Sequence, residues 1–265
     1  MAPTVRMLFD VQGALLESAR ECEAEVFLRW FGNTREQLDE EYRDYADRSV
    51  FLVLADEQDE VLAAVRLIVP GGRAGLKTLV DVGRAPWEVD GTRTAAAVGI
   101  DLATTWEIAT IGVRRGSTGD GLQLSLALYH GLITLSRVNQ MSSFVAILDT
   151  RVRRLLDSVG ILTHPFPGTT TAPYLGSSSS TPVYAHCPAL VRNQRRQFPE
   201  AYRLVTLGVG LDGVSVPELE AFRLRPRGPV LEADESARDA AELHAIGQGT
   251  IDLVGMVGSV GVGQL

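Results

Sequence analysis

The segment Thr105–Gly121, TWEIATIGVRRGSTGDG, limits the possible folds of this chain more than any other stretch. Trp106, Ile108, Ile111 and Val113 are apolar or β-branched, so its first half predicts a buried strand. Arg114-Arg115-Gly116-Ser117-Thr118-Gly119-Asp120-Gly121 then makes a turn with three glycines in six residues. After it, Leu122, Leu124, Leu128, Tyr129, Leu132 and Leu135 run at helix-compatible spacing through about Val138. A strand that feeds a basic, Gly-rich turn into a helix N-terminus makes an anion site. Glycines let backbone N–H groups approach phosphate oxygens, and the helix dipole favours negative charge there. The segment implies a phosphorylated small-molecule ligand held from Val113 to Gly121, with the chemistry on the strand just before. The plainer alternative is an ordinary Gly-rich strand-to-helix turn.

Two common phosphate loops are absent. No Lys-Ser or Lys-Thr follows these glycines, so the GxxxxGK[ST] loop is missing, and the spacing of Gly116, Gly119 and Gly121 does not fit GxGxxG. Upstream, periodicity predicts a strand at Val5–Val11 and a helix at Leu15–Phe31 with an apolar stripe of Ala19, Cys22, Val26, Phe27 and Trp30. An acidic helix at Arg35–Tyr45 and a hairpin of Arg48–Ala55 and Val61–Val69 follow. Gly71–Gly99 reads as irregular or weakly helical. Downstream come a strand at Ser143–Leu148, a short basic helix at Arg151–Ser158, a strand start at Ile161–His164 and a final strand at Thr181–Ala185. Thr169–Thr171 and Ser177–Ser180 read as a polar, flexible excursion. This order predicts an α/β (α+β) fold, a mixed central sheet with helices on both faces. The expected organisation is one domain over residues 1–190, an extension over 191–228 packed on it, and an acidic then Gly-rich flexible tail over 229–265.

Composition narrows the setting. The chain of 265 residues is long enough for a sizeable core, and 45% hydrophobic with 22% charged residues is ordinary for a soluble globular protein. No run approaches the roughly 18 apolar residues of a membrane span. The N-terminus lacks a secretory signal pattern, and two cysteines, Cys22 and Cys187, cannot build a disulfide framework or a Cys-rich zinc site. A cytoplasmic protein is expected. The net charge of −8 argues against nucleic acid as a partner. Lys77 is the only lysine, which reads as a genome-wide preference for arginine.

Arg115-x-x-x-Gly119-x-Gly121, or Arg114 with Gly116 and Gly119, resembles the Arg/Gln-x-x-Gly-x-Gly/Ala loop of the GNAT acyltransferases. That resemblance implies a loop cradling the pyrophosphate of coenzyme A or the phosphopantetheine of a carrier protein. Within that superfamily the chain resembles the acyl-homoserine-lactone synthases and the long-chain N-acyl amino acid synthases over about residues 5–185. The hairpin places Arg66 where the family's Val-Arg hairpin has its arginine, and Trp106-Glu107-Ile108-Ala109-Thr110 resembles its glutamate-bearing strand. Asp39–Tyr45 falls where the family carries acidic residues near the amine substrate. The family's Ser-Arg pair after the glutamate is Ala109-Thr110 here, which departs from the homoserine-lactone pattern and leaves general acyl transfer open.

Acyl transfer from a thioester to an amine needs a base, an oxyanion site and a tolerated thiolate. Glu107 is the candidate base, since an apolar strand would desolvate it and raise its pKa. It could equally face solvent at the sheet end or pair with an arginine. Arg66 would neutralise an acidic substrate or fix Glu107, or else stand as a rim charge. Gly112 would mark a bulge beside oxyanion donors at Ile111–Val113, or else pack against a helix. A thiolate-protonating tyrosine has only weak candidates in Tyr174 and Tyr184. The four histidines form no constellation; His186-Cys187 lacks an activating third group, and no metal is expected. No permanently bound cofactor is implied; the donor is a coenzyme A or phosphopantetheine thioester and the acceptor a small-molecule amine. Arg151, Arg153 and Arg154 with Arg192, Arg195 and Arg196 would serve an acyl carrier protein, the coenzyme A 3′-phosphate or simply solvent. The alternatives are a catalytically silent acyl-CoA-binding or scaffold protein of the same fold, and a small-acyl (acetyl) transferase.

Overall fold

Residues 50–55 and 61–68 are apolar at every position except Arg66, so both strands need cover on both faces. The structure, a computed structural model that describes residues 5–114 and 121–226, supplies it. β2 (Ser49–Ala55) and β3 (Val61–Ile68) form the expected antiparallel hairpin. Phe51, Val53 and Ala55 pack with Ala19 and Cys22 of α1 (Ala14–Phe31) on one face. Leu52 and Leu54 pack with Ala127, Leu128 and Leu135 of α5 (Gly121–Val138) on the other. α1 stops at Gly32, whose φ of 77° is the left-handed conformation that suits glycine.

The sheet extends from this hairpin in both directions. β1 (Val5–Phe9) lies antiparallel to β2, and the short β9 (Val214–Ser215) runs parallel to β1. On the other side come β4 (Thr105–Val113), antiparallel to β3, and then β5 (Ser143–Asp149), parallel to β4. β8 (Ser177–His186) is antiparallel to β5 along its length, and β6 (His164–Pro165) and β7 (Ala172–Tyr174) both pair with β8. The order is β6-β8-β5-β4-β3-β2-β1-β9, a mixed sheet with helices on both faces, as the element order predicts.

α2 (Arg35–Glu41), α3 (Lys77–Asp81) and α4 (Gly91–Ala97) lie on the α1 face, where Leu38, Leu79 and Ala95 join Ile68 and Val145. Thr34 and Gln37 close a reciprocal capping box at the start of α2. α6 (Thr150–Ser158) and α7 (Cys187–Gln197) lie with α5, through Leu156 and Leu190. Val205, Leu211 and Phe222 extend that core under α5, and Asn139 clasps the chain there through the Phe222 carbonyl and the Leu224 N–H, both at 2.8 Å. Contacts gather the described residues up to Arg225 into one unit. The Gly-rich tail lies outside the described residues. Among the described residues no helix is long and apolar enough to cross a membrane.

Three expectations change. The stretch at 71–99 contains two ordered helices, α3 and α4, and Asp90 N-caps the second by accepting the Arg93 N–H. Ser177–Ser180 is no flexible excursion; it opens a ten-residue strand in which Ser177 and Ser180 are buried. The strand at 161–164 shrinks to His164–Pro165.

Candidate functional site

β4 pairs with β5 through Thr105–Ser143, Trp106–Phe144 and Glu107–Val145, and from Ile108 onward the two strands part. Opposite β3, Arg66 pairs with Thr110 but Leu67 with Ile108, so Ala109 is the extra residue of a β-bulge. The bulge resets the alternation and places Glu107 and Thr110 on the same face. The Arg114 N–H bonds the Leu62 carbonyl at 2.8 Å on the β3 side. Antiparallel alternation therefore turns the N–H groups of Val113 and Ile111 toward the parted β5 side. The cleft holds a cavity of about 330 Å³ between α1 (Val26, Trp30, Phe31), β4 (Ile111, Gly112, Val113), α5 (Ser125, Leu128, Tyr129) and α6 (Arg151, Val152, Leu155).

Behind Tyr174, which lines the cleft, lies a buried polar cluster. Glu107 is 3% exposed, and its Oε2 accepts the Thr78 N–H at 2.9 Å. Burial pushes its carboxyl up to about 7, against the opposing pull of the Thr78 N–H and Lys77. The Lys77 ammonium is 2% exposed, pairs with Asp81 and with Glu41 at 2.5 Å, and donates to the Tyr174 hydroxyl at 2.8 Å. Tyr174 in turn donates to Asp81 at 2.5 Å, and burial with these neighbours raises its hydroxyl pKa. Tyr174 also lines the cleft, in a space it shares with Ala109 and Thr110. Tyr42 crosses from α2 to donate to the Ala109 carbonyl at 3.3 Å.

Arg66 does not meet Glu107 and is no rim charge. It is 3% exposed and makes a two-pronged bond to Glu23 of α1, at 2.9 and 2.5 Å, with its guanidinium over the Tyr42 and Phe51 rings. Thr110 donates to the same carboxylate at 2.5 Å. Gly112 is not the bulge. It pairs regularly with Ala64 and packs against α1, where an added Cβ would stand 2.6 Å from Val26 Cγ1. Glu107 does not face solvent, because the bulge and α3 enclose it. Arg114 is held by Glu25 at 2.7 Å and Glu60 at 2.5 Å. Val113 lines the cleft and Gly121 opens α5, while Arg115, Gly116, Ser117, Thr118, Gly119 and Asp120 lie outside the described residues. His186 is structural, bonded to Ser143 at 2.8 Å and to the Val98 carbonyl at 3.1 Å. Burial pushes the Cys187 thiol up to about 11, the wrong direction for a nucleophile. Among the described residues no His, Cys, Asp or Glu cluster is placed to hold a metal.

No protein-family model and no curated protein matches the sequence. Solved structures do match the fold. FeeM, an N-acyl amino acid synthase from uncultured soil microbes, superposes with a TM-score of 0.54 at 10% identity, covering 72% of this chain and 95% of its own. This chain has the GNAT fold. BjaI, a CoA-dependent acyl-homoserine lactone synthase solved with SAM and isopentyl-CoA, aligns at 17% identity over 83% of this chain and 97% of its own, with a TM-score of 0.49. The acyl-homoserine lactone synthase LasI aligns at 11% identity over 81% of this chain and 97% of its own, with a TM-score of 0.46.

Within this GNAT fold, the sequence points to Glu107, Arg66 and the cleft strand but not to their partners. Glu23, Lys77 and Asp81 carry no motif. One signal was there: Lys77 is the only lysine, and Asp81 follows it at helical i, i+4 spacing.

Proposed function

We propose that this chain is an N-acyltransferase that moves an acyl group from a coenzyme A or acyl-carrier-protein thioester to the amine of a small molecule. The observation that carries this reading is Glu107, buried, with a pKa near neutrality, at the point where β4 leaves β5. A base works best when its pKa lies near the operating pH. Glu107 takes the amine proton, directly or through one water. The amine nitrogen bonds the thioester carbonyl carbon, the C–S bond breaks, and the thiolate leaves. The N–H groups of Ile111 and Val113, turned into the cleft, are the oxyanion donors. Tyr174, fixed by Lys77 and Asp81, orders the acceptor side.

The donor is substrate rather than resident cofactor, and its phosphates belong at residues 113–121. Two features favour a carrier protein among the donors. Arg154 on α6 and Arg192, Arg195 and Arg196 on α7 are exposed, and the Gln194 amide bonded to the Val159 carbonyl at 2.6 Å keeps the two helices together. A positive patch on an acidic chain suits an acidic partner. A cytoplasmic setting belongs to the same reading, with Cys22 and Cys187 both free and buried. FeeM, which shares the fold, is by its name an N-acyl amino acid synthase.

Steady-state kinetics of Glu107→Gln test the assignment. The expected result is a kcat lower by about 10²–10⁴-fold with donor affinity little changed. Equal loss of turnover and donor binding removes Glu107 from the role of base.

A further inference from the structure

Tyr129 is 3% exposed, yet among the described residues nothing hydrogen-bonds its hydroxyl. The ring is buried but its hydroxyl oxygen is not sealed in, so it is open to the spaces that the ring lines. Burial raises its pKa to about 12, which keeps it protonated and able to donate. Tyr129 lines the outer cleft cavity and also a second, inner chamber of about 40 Å³ beneath α5. The inner chamber is walled by apolar groups, among them Ile108, Leu132, Ile133, Phe144 and Leu148. Ile111, whose N–H faces the cleft, lines both spaces as well.

Tyr129 and Ile111 thus flank the threshold between a partly polar space and a dry one. An acyl thioester has the same division, with a polar pantetheine on one side of the carbonyl and an apolar chain on the other. We propose that the inner chamber receives the acyl chain and that the Tyr129 hydroxyl donates a hydrogen bond to the thioester carbonyl oxygen at its threshold. This deepens the acyl-transfer reading and rests on it. The chamber volume of about 40 Å³ has room for roughly three water-sized groups. The chain it takes is therefore short, and Tyr129 contributes to a reaction in which no bond to its own oxygen forms or breaks.

Calorimetric titration of the wild-type protein and Tyr129→Phe tests this, because the substitution removes the hydroxyl and keeps the ring. The probes are coenzyme A, acetyl-CoA, butanoyl-CoA, dodecanoyl-CoA and butanoyl-pantetheine, the last sharing its chemistry with both kinds of donor. Butanoyl-CoA is expected to bind the wild type more tightly than acetyl-CoA, and dodecanoyl-CoA no more tightly than butanoyl-CoA. The variant is expected to lose about tenfold in affinity for the acyl thioesters, one hydrogen bond's worth, and nothing for coenzyme A itself. Equal affinity of both proteins for butanoyl-CoA overturns the hydrogen bond. Equal losses for coenzyme A and butanoyl-CoA also overturn it, showing a merely structural tyrosine. Affinity that keeps growing to dodecanoyl-CoA overturns the short chain. A wild type that binds none of the probes fails at an earlier point, since it overturns the acyl-transfer reading itself.

Discussion

Lys77 and Glu107 share one buried neighbourhood, and their charges decide each other's behaviour. Lys77 is fully matched by Asp81 and Glu41, so it only partly offsets the burial of Glu107. The linkage has a definite sign. The folded pKa of Glu107, about 7, lies above its ordinary 4.5. The native protein therefore holds a proton that the unfolded chain releases, and this contribution to stability is complete below pH 4.5 and lost as pH rises through 7. Glu107→Gln keeps an acceptor for the Thr78 N–H and never ionises. Its stability relative to the wild type is expected to rise by up to about 3 kcal/mol between pH 5 and pH 8. Urea melts at the two pH values measure it, and a pH-independent difference contradicts the burial of an ionisable Glu107. Glu107 is legible in the sequence because a lone carboxylate interrupts an apolar strand. The partner of Arg66 is not, because Glu23 lies 43 residues away on a helix whose charged positions all look alike.

At the scale of elements, long periodic segments are legible and bulges are not. α1, the β2–β3 hairpin, β4 and α5 fall close to their expected bounds because apolar spacing alone specifies them. The bulge at Ala109 leaves no compositional mark, and Gly112 draws attention only by being a glycine in a strand. Polar Ser177–Ser180 escapes recognition as strand because its burial is satisfied from outside, with Ser177 donating to Asp149 at 2.7 Å and Thr150 to the Ser179 carbonyl at 3.0 Å. The packing of Gly112 on α1 can be tested directly. Gly112→Ala would bring a methyl group within 2.6 Å of the stiff Val26 side chain. It is expected to destabilise by about 1–3 kcal/mol. Adding Val26→Ala should relieve the clash, giving a coupling of roughly 1 kcal/mol in a double-mutant cycle. Additive losses would mean that strand and helix do not touch there.

At the scale of the molecule, the mixed sheet and its two-sided helical cover follow from element order, whereas the order of the strands and the role of the chain beyond α7 do not. Its apolar residues are sparse and lack a period, yet Val205 and Phe222 are completely buried beneath α5. His130 shares this packing. It bonds the Val205 carbonyl at 3.0 Å, and burial lowers its pKa. Phe222→Ala is expected to cost about 3–5 kcal/mol in chemical denaturation. A loss below about 1 kcal/mol would fall in the range of surface substitutions, and would show residues 198–226 to be an appendage rather than part of the core.

The three residue pairs that join β4 to β5 have a mechanical meaning. The sheet consists of two leaves, β1–β4 with β9 and β5–β8, bound along a short spine and free of each other above it. The inner margins of the leaves are strand edges that face one another across the gap, under the helices. They are thereby withheld from strands of other chains, the usual hazard of an open edge. Any occupant that is extended and carries amides of its own stands in for an absent strand, and seating it would lock the two leaves together.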